Sequence, residues 1–331
     1  MQQIKEILSQ IPLLAGTDRN ALQIHRLDGL LNRNFKVTGP GLSVVVRLAG
    51  PGTEAYVDHR TEASNARAAA RTGVAPEVLY SDDCAGILVT RFVEGAVALD
   101  AARAGSAPYL ARIGRKLRAL HTVSRRFSNA FDPFRQLDRY VAVLEAQGVD
   151  PTPDFLDATA RLEDLRELPE ARAWAAAPCH CDPLPANILD DGQRLYIIDY
   201  EFSGNCDPLF DLGDFSGEAD LGEAQDRALL TSYFGGTVPP QALDLLVAYK
   251  AISLLVAVGW AQVQVASGND NEDFAAFGAL RLARCWEILE SRDFGRLNRN
   301  LAAHGAEAPI CAAPHPFQAR DRGDDDAKTW V

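Results

Sequence analysis

Apolar residues in the first ninety or so positions come in short, strand-like runs, and beyond them they recur at spacings of three and four. The change of period divides the chain, because alternation predicts strands and the longer period predicts helices. Ile4 to Leu8 and Ile11 to Leu14 predict a short opening helix. Phe35 to Val37 and Ser43 to Leu48 predict an antiparallel pair, broken by the turn signal Thr38-Gly39-Pro40-Gly41. The Ala-rich, Pro-free stretch from Glu54 to Arg71 predicts a helix that ends at Gly73. Val78 to Tyr80 and Ile87 to Val93 predict further strands. This βββαββ-like order implies a small lobe over residues 1–95, an antiparallel sheet with one helix, with Glu94-Gly95 as the hinge. Helices are then predicted over Ala107 to His121, Pro133 to Gln147, Phe155 to Leu168, Gly222 to Tyr233, Gln241 to Ala266 and Glu272 to Leu289. Residues 96–303 therefore read as a larger, mainly helical lobe, and the class is α+β in two lobes. From His304 the chain turns rich in Ala, Pro and charge, and residues 304–331 predict a disordered tail.

Charge narrows the partners. A net charge of -12 argues against a nucleic-acid binder, which concentrates Lys and Arg on one face. The most apolar stretch, Ala242 to Ala266, is interrupted by Asp244, Lys250, Gln262 and Gln264, so no membrane partner is expected and a soluble, cytoplasmic protein is. Cys84, Cys179, Cys181, Cys206, Cys285 and Cys311 lack CxxC spacing and read as reduced thiols. Cys179, His180, Cys181 and Cys206 have the residue types of a zinc cluster, but alternate residues of an extended chain point to opposite sides, so zinc is not expected.

Candidate chemistry is densest between His180 and Asp214. Phosphoryl transfer needs a group that orients the attacking hydroxyl and takes its proton, and hard oxygen ligands for a phosphate-bound Mg²⁺. Asp182, Asn187 and Asp199 are the candidates. Ile188-Leu189, the turn Asp190-Asp191-Gly192 and Leu195 to Ile198 predict a β-hairpin, which would fold Asp199 back beside the loop that carries Asp182 and Asn187. Singly, each of these residues reads as an ordinary turn or cap residue. Jointly, His-x-Asp-x4-Asn followed by a hairpin and Ile-Asp-x-Glu is a far more specific pattern.

The segment resembles the aminoglycoside phosphotransferase and choline kinase superfamily, whose members have a protein-kinase-like fold, and it is most similar to bacterial choline/ethanolamine kinases. The likeness continues through Ile198-Asp199-Tyr200-Glu201-Phe202-Ser203-Gly204-Asn205 to Asp207-Pro208 and Phe210-Asp211-Leu212. Two earlier blocks agree: Val46-Arg47-Leu48 with Arg60-Thr61-Glu62, and Leu27 to Phe35, which looks like a phosphate-covering hairpin. The resemblance implies a kinase using ATP and Mg²⁺, with Asp182 as base and Asn187 and Asp199 as metal ligands. It implies that Arg47, held by Glu62, and the turn carrying Asn32 and Asn34 serve the nucleotide. His180 and His121 read as loop-packing residues, and Asp211 as a support for the catalytic loop. A quaternary ammonium is held by aromatic faces and a carboxylate, so Tyr200, Glu201 and Trp260 are the expected substrate contacts, with choline first among the acceptors. Ala257, Phe274 and Phe277 depart from the family's Trp and Tyr positions, which keeps ethanolamine, thiamine or an amino sugar open as acceptors. A non-catalytic binding protein of the same fold is the alternative from another class, and the oligomeric state is left open.

Overall fold

The computed structural model describes residues 2–297, apart from residues 9, 15–16, 19–20, 51, 54–56, 168–175 and 292–293. The expected tail, residues 304–331, lies outside the described residues.

Among the described residues the N-lobe holds a five-stranded antiparallel sheet in the order β1-β2-β3-β5-β4. Its strands are β1 (Gln23–Leu27), β2 (Arg33–Gly39), β3 (Leu42–Leu48), β4 (Val78–Asp82) and β5 (Ile87–Arg91). On β3, Val44, Val46 and Leu48 are buried on one face, in a cluster with Ile4 and Leu8 of α1 (Gln2–Leu8) and with Ile11 and Leu14 beyond it. Successive strand residues alternate between faces, so Arg47 projects to the other side, where α2 (His59–Ala70) lies. The helix expected from Glu54 begins instead at His59, because the Asp58 carboxylate accepts from the amides of Arg60 and Thr61 and caps it. Gly73, just past its end, is left-handed at φ 71°.

The C-lobe follows β6 (Val97–Ala98) and comprises α3 (Ala101–Ala104), α4 (Ala107–His121), α5 (Pro133–Ala146), α6 (Pro153–Arg161), β7 (Ala177–Cys179), β8 (Ile188–Asp190), β9 (Leu195–Ile197), β10 (Gly204–Cys206), α7 (Pro208–Glu218), α8 (Glu223–Phe234), α9 (Ala242–Ala266) and α10 (Phe274–Leu289). α9 is long and apolar enough to cross a membrane, but it is the buried core helix against which α5, α7 and α10 pack. α7 approaches it so closely that a Cβ on Gly213 would lie 2.7 Å from the Lys250 amide nitrogen. The cysteines within the described residues are free thiols, all buried except Cys84.

The expected hairpin forms with β8 against β9, Ile188 opposite Ile197. It is tied to α4 by buried Asp190, which accepts from Arg112 Nη2 at 2.7 Å, Arg112 Nη1 at 3.0 Å and Tyr109 OH at 2.6 Å. The Arg112 hydrogen bonds hold the Asp190 carboxyl well below the usual carboxylate range. Arg112→Met is expected to lower unfolding free energy by about 2 kcal/mol at pH 7, since it takes two charge-assisted hydrogen bonds from a buried carboxylate and leaves it those of Tyr109 and the Gly192 amide. A carboxylate depressed in the folded state contributes fully above its unfolded pKa of about 4 and loses that contribution as the pH falls further. Urea unfolding should therefore show the two proteins converging in acid, and an unchanged midpoint at pH 7 would count against the anchor.

Candidate active site

The loop from His180 to Asn187 leaves β7 and is fixed by one side chain from α7. Asp211, fully buried, accepts from the His180 amide and the Cys181 amide, each at 2.8 Å, and lies 2.9 Å from His121 Nε2. A carboxylate only accepts, so Nε2 is the donor; Nδ1 of the same ring lies 2.9 Å from the Tyr233 hydroxyl. His180 Nε2 donates to the Ile198 carbonyl at 2.8 Å, which binds the loop to the end of the hairpin. Asn187 Nδ2 donates to the Asp182 carbonyl at 3.0 Å and to Asp182 Oδ2 at 3.2 Å. Cys181 and Asp199 have φ of 64° and 69°, left-handed values that a non-glycine residue adopts at a cost of about 1 kcal/mol or more. Such strain gathers where a loop must aim its neighbours for function.

From the N-lobe, Arg47 crosses to the same place. Its Nη2 pairs with Glu62 of α2, and its Nη1 donates to Asp199 Oδ1 at 2.6 Å and lies 3.7 Å from Glu201 Oε2. Asn32 Nδ2 donates to Glu201 Oε2 at 2.8 Å, while its Oδ1 accepts from the Gly50 amide at 3.3 Å. The turn carrying Asn32 also touches the C-lobe, because Asn271 Nδ2 donates to the Leu30 carbonyl at 3.1 Å. Asn34 is placed differently: its Nδ2 donates to the Asp28 carbonyl at 3.1 Å and so stays within the turn. Glycine is required opposite it, since a Cβ on Gly29 would stand 2.6 Å from that nitrogen.

One buried guanidinium thus faces Glu62, Asp199 and Glu201. Burial raises Asp199 above the usual carboxylate range in spite of Arg47's pull. Burial and the charge of Asp199 push Glu201 up to about 8. Asp182, half-buried, is raised by burial and then by the charges of Asp214 and Asp199. Burial lowers the His180 imidazole, keeping its charged form disfavoured beside these groups.

The residues expected at the substrate make separate sets of contacts. The Tyr200 ring packs edge-on against His180 at 4.7 Å, Glu201 turns to Asn32 and Arg47, and Trp260 of α9 sits among Phe274 and Phe277 of α10 at 5.2 and 5.4 Å. Three side chains near this site were not expected from the sequence as parts of it: Asp214, Glu218 and Arg281. The spacing of Asp211, Asp214 and Glu218 is the signal that places these carboxylates on one helix face. The buried group His121, Cys179 and Asp211 has the residue types of a metal site. Its members are engaged in the hydrogen bonds above and in that from Cys179 Sγ to the Cys206 carbonyl.

An antiparallel N-lobe whose buried cation reaches a helix carboxylate and two carboxyl groups of one C-lobe loop defines a protein-kinase-like phosphotransferase. The chain belongs to the phosphotransferase enzyme family, whose profile matches residues 24–245, and within it to the choline/ethanolamine kinase branch. A choline/ethanolamine kinase family protein from Mesorhizobium loti is 35% identical, with a TM-score of 0.78 over 91% of this chain and 99% of that one. Protein LicA of Haemophilus influenzae is 25% identical over 287 residues, 82% of this chain and 81% of its own length. The fold is also that of choline kinase LicA from Streptococcus pneumoniae, 24% identical, with a TM-score of 0.72 over 87% and 98% of the two chains. A LicA structure in complex with AMP, 22% identical, has a TM-score of 0.71 over 87% of this chain and 97% of that one. The chain is accordingly a phosphotransferase with an alcohol group as acceptor.

Proposed function

We propose that this protein is an ATP- and Mg²⁺-dependent kinase that transfers the γ-phosphate to the hydroxyl of a small cationic amino alcohol of the choline or ethanolamine kind. The observation that carries this reading is the convergence of Arg47 and Glu62 with Asp199, beside the Asp182–Asn187 pair. The relatives' names support the acceptor class, and the AMP complex of a protein with this fold supports an adenine nucleotide.

Arg47 presents a planar fork suited to two phosphate oxygens, and Glu62 fixes its direction. The turn at Asn32, bonded to Glu201, closes over the same region. The donor set fits a hard divalent cation: Asp199 and Asn187 offer oxygens, and three carboxyl groups, those of Glu62, Asp199 and Glu201, face the single guanidinium of Arg47. Asp199 and Asn187 would hold the ion, which would supply charge neutralisation at the nucleotide phosphates. Asp182 aligns the acceptor hydroxyl and receives its proton, on a loop that Asp211 holds in place.

The test is ADP release with Mg-ATP against choline, ethanolamine, thiamine and an aminoglycoside, with Asp182→Ala as the blank. Turnover of about 1–100 per second is expected with choline or ethanolamine, and at least ten times less with the other two. ADP release confined to thiamine or the aminoglycoside, or absent from all four, would sink the reading.

A further inference from the structure

α7 carries more than the anchor of the catalytic loop. Asp211, Asp214 and Glu218 are spaced by three and four residues and share one face of the helix. Asp211 binds the loop amides just before Asp182, so Asp214 and Glu218 extend that face away from the reacting hydroxyl, where an acceptor's other end must lie. Asp214 is the leading charge acting on Asp182, which agrees with this placement.

The two carboxylates differ in what they meet. Glu218 is fully engaged by Arg281 of α10, with Nε to Oε1 at 2.8 Å and Nη2 to Oε2 at 2.5 Å. The same guanidinium lies over the Phe277 ring, its Cζ 3.2 Å from the centroid, and donates to the Phe277 carbonyl at 3.2 Å. Phe277, Phe274 and Trp260 meet one another at steep ring angles, and Phe274 is buried. The Phe277 face is therefore taken by a cation of the protein's own. Asp214, 6% exposed, has its Oδ2 buried with no hydrogen-bond partner among the described residues, as has the Trp260 Nε1.

We propose that Arg281 is a specificity-determining residue: by covering Phe277 and neutralising Glu218 it leaves Asp214 as the group that recognises the acceptor, and so selects a primary ammonium over a trimethylammonium. The inference rests on the kinase reading above and narrows it. A primary ammonium donates to the unsatisfied carboxylate oxygen, whereas a quaternary one has no N–H and depends on aromatic faces. Sites built around a buried hydrogen bond reject analogues that cannot make it far more strongly than sites that only measure size.

The experiment compares kcat/KM for ethanolamine, its N-methyl and N,N-dimethyl derivatives and choline, in the wild type, Arg281→Met and Asp214→Asn. In the wild type kcat/KM should fall with each methyl group, about 100-fold from ethanolamine to choline. Arg281→Met should shrink that ratio at least tenfold, chiefly through a lower KM for choline, with the KM for ATP unchanged. Asp214→Asn should shrink it by lowering ethanolamine toward choline. A wild type that prefers choline, or a ratio unmoved by Arg281→Met, overturns the proposal. Arg281→Met/Glu218→Gln repeats the test without a stranded carboxylate if the single variant folds poorly, and the wild-type series needs no variant. Should no amino alcohol be phosphorylated, the kinase reading falls separately. Calorimetric binding of the same series then decides the selectivity, tighter ethanolamine supporting it and tighter choline, or no binding, overturning it.

Discussion

Asp182→Ala is expected to lower kcat at least 1,000-fold while changing ATP affinity by less than about twofold. The size follows from two losses at one atom. A positioned proton acceptor contributes about 100- to 10,000-fold, and alignment of the attacking hydroxyl adds to it, because a loose phosphoryl transition state asks more of geometry than of nucleophile strength. The selectivity follows from where Asp182 sits. Its hydrogen bonds come from Asn187, whereas the cation expected at the phosphates, Arg47, pairs with Glu62 and Asp199. The surroundings suit a proton acceptor, since burial and the charges of Asp214 and Asp199 raise its proton affinity. Steady-state kinetics with direct ATP binding checks both halves. A variant that keeps more than a tenth of kcat would remove Asp182 from the role of base.

Much of this was legible before the structure. The hairpin that returns Asp199 to the catalytic loop followed from apolar runs around Asp190-Asp191-Gly192, and Gly192 has φ 89°. Chain pattern also yielded β2, β3, α4, α5 and α9, and spacing marked Asp182, Asn187 and Asp199 as the candidates for base and metal ligands. What stayed hidden had physical reasons. β1 has no buried position to mark its period, and β6, β7 and β10, two or three residues each, are too short to show one. α7 is buried almost all round, so it lacks a polar stripe, and the close approach to α9 that requires glycine at position 213 is a tertiary feature with no local signal. Asn34 belongs by type to the phosphate-covering turn, but its amide serves the turn's own backbone. The Arg281–Glu218 pair joins residues 63 apart in sequence, and no local spacing announces it.

Asp199→Ala should separate function from stability. Activity is expected to fall at least 1,000-fold in kcat/KM at any Mg²⁺ concentration, because the variant lacks the carboxylate proposed to hold the ion on the phosphates. Stability without ligand should be unchanged or higher. Asp199 is raised by burial even beside Arg47, so its ionised form is less favourable in the folded protein than in the unfolded chain. A carboxylate of that kind works against folding at every pH above its unfolded pKa. Its removal leaves Arg47 paired with Glu62 and near Glu201, and relieves the repulsion that adds to burial in pushing Glu201 up to about 8. The stabilisation that Mg-ATP gives the wild type through binding should shrink in the variant by the same cause. Scanning calorimetry with and without Mg-ATP, alongside the ADP-release assay, reads all three effects. A ligand-free melting temperature several degrees below the wild type would mean that the Arg47–Asp199 contact holds the lobes together more than it strains them. Activity above a hundredth of the wild type would mean that another oxygen of the cluster, Glu201 first, carries the metal.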